Sequence, residues 1–146
     1  KYAQLFADLE VDAVIGTHPH VIQPVEWVEG KNGNQTLVVY SLGNFLSAMS
    51  TGTENNMLGG MISFDFVLTE EEKTIENVKW DATVMHYTGK KNDAEDSRKD
   101  FRIYQLDEYT KELGSQHSLN SFQGNQLSKE SLQRTTETVI DAKFLK

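Results

Sequence analysis

The chain has 146 residues, 14 basic against 22 acidic side chains, a formal net charge of -8 and no cysteine. That length suits one domain able to bury a core, and the acidic balance excludes a nucleic-acid binder, because no basic face is available to displace phosphate counterions. The missing cysteines exclude a disulfide scaffold, a thiolate metal site and cysteine catalysis, and no apolar run approaches the ~18 residues of a membrane span.

Tyr2, Leu5, Phe6 and Leu9 recur at i, i+3, i+4 and i+7, which predicts the end of a helix with one buried stripe. The chain starts inside this pattern without an initiator methionine, so it reads as a piece of something longer. Residues 11–15 form a short β-branched run closed by Gly16, and helix, link and apolar strand together suggest an α/β layer with the strand covered on both faces. Residues 24–28 and 36–40 flank a Gly- and Asn-rich stretch, a β-hairpin signal. Residues 37–42 read as a buried central strand ended by Gly43 and Asn44, and the small polar residues beyond make 47–60 a mobile loop.

Residues 61–68 alternate, with Ile62, Phe64, Phe66 and Leu68 on one face. Residues 69–73 turn the chain, and 75–87 continue as a strand bent near Asp81 and Ala82. The charged stretch 89–100 reads as a solvated loop and 101–106 as the returning strand. Asp107 is a candidate cap for a short helix through Leu113, with Gly114 as its stop. Residues 115–126 are a polar connector with a weak break at 115–125, and Ser128 starts a last helix with Leu132, Val139 and Ile140 on its apolar stripe.

Chemistry concentrates in two motifs. Gly16-Thr17-His18-Pro19-His20 directly follows a strand, and Pro19 holds His18 out of the helical region, which predicts an extended, stiff segment. Two histidines two apart in such a segment reach one locus, where neutral imidazole is a good ligand for a divalent transition metal. The alternative is a turn whose histidines hydrogen-bond carbonyls. In Tyr40-Ser41-Leu42-Gly43-Asn44-Phe45, glycine permits an unusual turn and Asn44 offers both donor and acceptor, in a pocket or simply in a satisfied turn. His86 reads as packed or solvent-facing and His117 as solvated, while Asp12, Glu26 and Asp65 are carboxylates that sequence alone does not pair. A binuclear hydrolase needs several ligands per ion and an open position for water, and Asp-x-His, Gly-Asp and Asn-His-Asp/Glu patterns are absent.

The stretches VDAVIGTHPHVIQPVEW, TLVVYSLGNFLS and GGMISFDF, at this spacing, resemble the capsule-synthesis (CapA) or poly-γ-glutamate-synthesis family, whose members carry a metallophosphatase-like domain related to calcineurin-like phosphoesterases. The resemblance implies an α/β fold: the C-terminal half of a four-layer α/β/β/α sandwich, with residues 1–146 as one partial domain. It implies that His18 and His20 each give a ligand to a two-metal site in the intact protein, with Gly16 allowing the turn and Gly16, Thr17, Gly43 and Asn44 in the pocket or behind the ligands. No catalytic set is complete in this chain, which is expected to bind divalent metal weakly or not at all.

The partners implied are the remaining half of the same protein, a second copy covering the exposed face, and the capsule polymer synthesis machinery at the cell surface, reached through an N-terminal membrane anchor. The functional expectation is a part of a metallophosphoesterase-like capsule biosynthesis protein. A non-catalytic scaffold or assembly module is the alternative, and a mononuclear metal enzyme using only these residues a third reading.

Overall fold

The computed structural model describes residues 1–47, 49, 52–70, 72–89, 97–121 and 124–145. Helix α1 (Tyr2–Asp8) leads into strand β1 (Ala13–Ile15), followed by β2 (Val25–Glu29) and β3 (Gln35–Val39). β3 lies in the middle of this sheet, parallel to β1 and antiparallel to β2, with Trp27 and Ala13 both in register with Leu37. The predicted hairpin and central strand are therefore present, and Thr36, Leu37, Val38 and Val39 are all buried. β1 has only three residues and is not covered on both faces, since Ile15 stays 42% exposed.

α1 docks with the opposite side to that expected. Its small and polar residues meet the hairpin: Gln4 Nε2 donates to the Glu29 carbonyl (2.9 Å), and the Ala7 carbonyl accepts from Asn34 Nδ2 (2.9 Å). Gly30 lies so close to the Ala7 carbonyl that no side chain fits between them. Only Ala7 of the helix is buried, and the stripe carrying Tyr2 and Leu5, with Leu9 just beyond it, faces outward.

The second sheet is an antiparallel meander of β4 (Leu58–Leu68), β5 (Lys73–Thr88) and β6 (Lys99–Gln105). Between the pairs Ser63↔Lys79 and Asp65↔Glu76, β5 carries two residues against one on β4. This bulge places Asn77 at φ 52°, where its amide donates to Asp65 Oδ2 (2.7 Å). An extra residue re-aims the strand, so the irregularity falls at Asn77, whereas Asp81 and Ala82 pair regularly with Met61 and Gly60. Past the bulge the alternation fails to bury side chains: Ile62 and Phe64 are half-buried, but Phe66 and Leu68 are exposed.

Part of the expected loop at 47–60 is ordered secondary structure, because Thr53 and Asn56 cap one helical turn, α2 (Glu54–Met57), that runs straight into β4. Ala48, Ser50 and Thr51 lie outside the described residues, as do 90–96 of the charged stretch, whose last two residues, Lys99 and Asp100, belong to β6. After β6, a single 3-10 turn (Leu106–Glu108) precedes α3 (Lys111–Gln116). Thr110, not Asp107, caps α3 through its hydroxyl (3.2 Å from the Leu113 amide), and Gly114 sits buried inside the helix instead of ending it. α4 (Lys129–Val139) begins at Ser128 as expected, and Leu132 and Ile140 are buried with Val139 packed at the edge.

The fold is mixed α/β and strand-rich, with helices at both ends. One core runs through it, from Val25, Leu37 and Val39 of the first sheet through Leu58, Trp80 and Val84 of the second to Leu132, Ile140 and Phe144. Residues 41–44 join the sheets: Leu42 pairs with Ile22, Gly43 with Gly59, and the Gly60 amide donates to the Leu42 carbonyl (2.8 Å).

Candidate functional site

Both motifs lie at this junction. Leaving β1, the Gly16 amide donates to the Val39 carbonyl (2.7 Å) and its own carbonyl accepts from the Leu42 amide (3.0 Å). The two backbones touch closely enough that a Cβ on Gly16 would lie 2.2 Å from the Tyr40 oxygen. Thr17 and His18 then project from the end of the strand, exposed, into a turn through Pro19. The segment is not extended as expected, because His20 occupies the left-handed region at φ 59°. The turn still brings the two exposed imidazoles to one face, with ring centroids 6.2 Å apart and planes tilted by 50°.

Gly43, at φ 71°, turns the second motif so that Asn44 points under this loop. Asn44 is buried, and its Oδ1 lies 2.7 Å from His20 Nδ1. Its Nδ2 donates to the carbonyl of Asn56 (3.0 Å) and more distantly to that of His20 (3.4 Å). Asn56 in turn donates from Nδ2 to the His20 carbonyl (3.1 Å), while its Oδ1 accepts from the Thr53 amide (2.9 Å). Asn56 is the site residue that sequence reasoning missed; its only local signal was the Thr53-x-x-Asn56 cap spacing.

Two exposed imidazoles on one face form a donor pair of the kind a divalent transition metal takes. Two imidazoles supply two of the four positions zinc takes, and among the described residues no group of three or more His, Asp or Glu side chains is placed to hold an ion. The lone carboxylates are engaged elsewhere: Asp12 pairs with Lys73 (2.9 Å), Asp65 accepts from Asn77, and Glu26 accepts from the Tyr40 hydroxyl (2.5 Å). That bond to Glu26, with some burial, pushes the Tyr40 phenol up to about 12.

A second histidine cluster is structural. His117, expected to be solvated, is buried, with its Nε2 against the Met85 carbonyl (3.0 Å) and its Nδ1 accepting from the Leu119 amide (3.0 Å). Burial holds it down at about 4, although the Met85 carbonyl favours the proton. His86 is packed, one of the two placements expected, with Nδ1 2.8 Å from the Tyr109 hydroxyl, and burial and then the Arg102 charge lower its proton affinity.

Residues 1–49 match the model of a family described as bacterial capsule synthesis protein PGA_cap, and that stretch ends just past both motifs of the site. Over that first third the chain is similar to capsule synthesis proteins of the CapA family, the resemblance its motifs suggested. Over 46 residues it is 41% identical to the PGA biosynthesis protein CapA of Bacillus subtilis (strain 168), a stretch amounting to 32% of this chain and 11% of that protein. The chain thus spans a small part of the length of the curated relative it matches. No solved structure matches it.

Proposed function

We propose that these residues form the C-terminal part of a metallophosphatase-like domain, an α/β/β/α sandwich, in a protein that makes or exports a capsule polymer of the poly-γ-glutamate type. The observation carrying this reading is convergence: the two motifs that lie in the family match meet in space, with His20 on Asn44 at 2.7 Å and His18 beside it. His18 and His20 would each hold one of two divalent ions, and the remaining ligands would come from other parts of a longer chain. A divalent cation held there would supply an activated water for phosphoester hydrolysis. Gly16 and Gly43 bring the backbones together and Asn44 orients His20.

Elemental analysis of the full-length protein tests this. Two metals per chain are expected, lost together with phosphodiesterase activity in a His18→Ala/His20→Ala variant. Metal content unchanged by that variant overturns the assignment of these ligands.

A scaffold role in the polymer-synthesis complex is the second reading, favoured by the outward apolar side chains Tyr2, Leu5 and Leu9 and, past the bulge, Phe66 and Leu68. Apolar surface of this kind marks interaction sites. Among the described residues no helix is long and apolar enough to cross a membrane, so attachment to the cell surface would fall to another segment of the longer protein.

A further inference from the structure

We propose that an amide relay from Asn56 through Asn44 fixes the tautomer of His20, with the proton on Nδ1 and the lone pair of Nε2 turned outward as the ligand atom. The first step is the orientation of Asn56. Its Oδ1 accepts from the Thr53 amide and hydroxyl (2.9 and 3.1 Å), so its Nδ2 must be the atom facing the His20 carbonyl at 3.1 Å. The second is the orientation of Asn44. Its Nδ2 faces two carbonyls, those of Asn56 and His20, and only a donor is tolerated there. Its Oδ1 is therefore the atom 2.7 Å from His20 Nδ1, and an acceptor at that distance requires a proton on Nδ1.

The same bonds hold His20 in its left-handed conformation at φ 59°, since its carbonyl receives both amides. Asn44 and Asn56 are positioning residues. They keep the ring orientation and the free nitrogen fixed before any ligand arrives, which is how histidine ligands are commonly prepared by their outer partners. The inference deepens the metal reading only in naming what Nε2 would meet; the tautomer itself follows from the chain's own hydrogen bonds. Among the described residues His18 has no such hydrogen-bond partner, only the neighbouring ring, and His117 is held in the opposite tautomer by the Leu119 amide, so both serve as internal references.

Two-bond proton–nitrogen correlation spectra of the labelled, metal-free protein at mildly alkaline pH read the tautomer of each histidine. His20 is expected as the Nδ1–H form and His117 as the Nε2–H form. An Nε2–H form for His20 in the unaltered protein overturns the proposal, whatever the fate of any variant. In Asn44→Ala, His20 is expected to lose the Nδ1–H form; retention of Nδ1–H in Asn44→Ala also overturns the proposal. Adding zinc to the full-length protein separates the two ideas. Perturbation of His20 Nε2, weakened about 10–100-fold in Asn44→Ala, supports both. Zinc that leaves Nε2 unperturbed overturns the ligand assignment, while the tautomer result stands by itself.

Discussion

Gly16 lies against Tyr40 so closely that a Cβ would sit 2.2 Å from the Tyr40 carbonyl oxygen and 2.9 Å from its carbon. Both atoms are backbone at the end of β3, so neither yields by a rotamer change. Gly16→Ala must push β1 away from Tyr40, at the cost of the short bonds that Gly16 makes to Val39 and Leu42. Overpacking of this kind costs about 1–3 kcal/mol. Urea unfolding should show a lower midpoint for Gly16→Ala with an unchanged slope. An unchanged midpoint would mean that the loop moves freely and that His18 and His20 are not held by the strand.

A second close approach lies inside the core. A Cβ on Gly60 would come within 1.9 Å of Trp80 Cζ2, and Trp80 is 2% exposed. The indole packs flat on the bare backbone of β4 and cannot retreat toward solvent. Gly60→Ala should lower stability by about 1–3 kcal/mol and shift Trp80 emission to the red. Trp27 is the other tryptophan, so a Trp27→Phe background isolates the signal. A stable variant with unshifted emission would contradict this packing.

Where local chemistry decides, the sequence was readable. The hairpin followed from its turn residues and flanking β-branched runs, and Ser128 announced α4. The His20–Asn44 contact was anticipated only as nearness, through resemblance. The Asn56 bond spans 36 residues from an unperiodic polar stretch, so no local rule could find it. His117 sits among polar neighbours in sequence, yet Tyr87 (4.7 Å) and His86 (5.0 Å), both on β5, enclose its ring. Its burial is a tertiary fact. The α1 stripe misled for a related reason: periodicity identifies a helix, but docking was decided by Gln4, Ala7 and Gly30.

The two candidate caps make a paired prediction. Ser128 accepts from the Ser131 amide (3.0 Å), and Ser131 returns a bond to the Ser128 amide (3.2 Å), so the first turn of α4 is closed in both directions. Losing a serine cap costs about 0.5–2 kcal/mol. Asp107 is exposed and caps nothing, although its position before Leu113 suggested that it would. Ser128→Ala should therefore lower the thermal midpoint, and Asp107→Ala should stay within about 0.5 kcal/mol of the parent. The reverse ranking would restore the sequence-based assignment.

His117 gives the fold a pH dependence with a definite sign. Its imidazole is held at about 4 in the folded chain against an ordinary 6.5, so the native state binds fewer protons than the unfolded state between those values. Stability from this group is complete above about pH 6.5 and is lost as pH falls toward 4, by about 3 kcal/mol in all. His86 acts in the same direction, because burial and Arg102 also lower its proton affinity. The exposed Glu112 and Glu130 are both held below the ordinary 4.5, so they titrate beneath most of this window. Urea midpoints measured from pH 7 to pH 5 should fall steadily in the parent chain. In His117→Leu the midpoint at pH 7 should be lower, since the Met85 carbonyl and Leu119 amide lose their partner, but the dependence on pH should be shallower. An equally steep fall in the variant would assign the acid sensitivity to other groups.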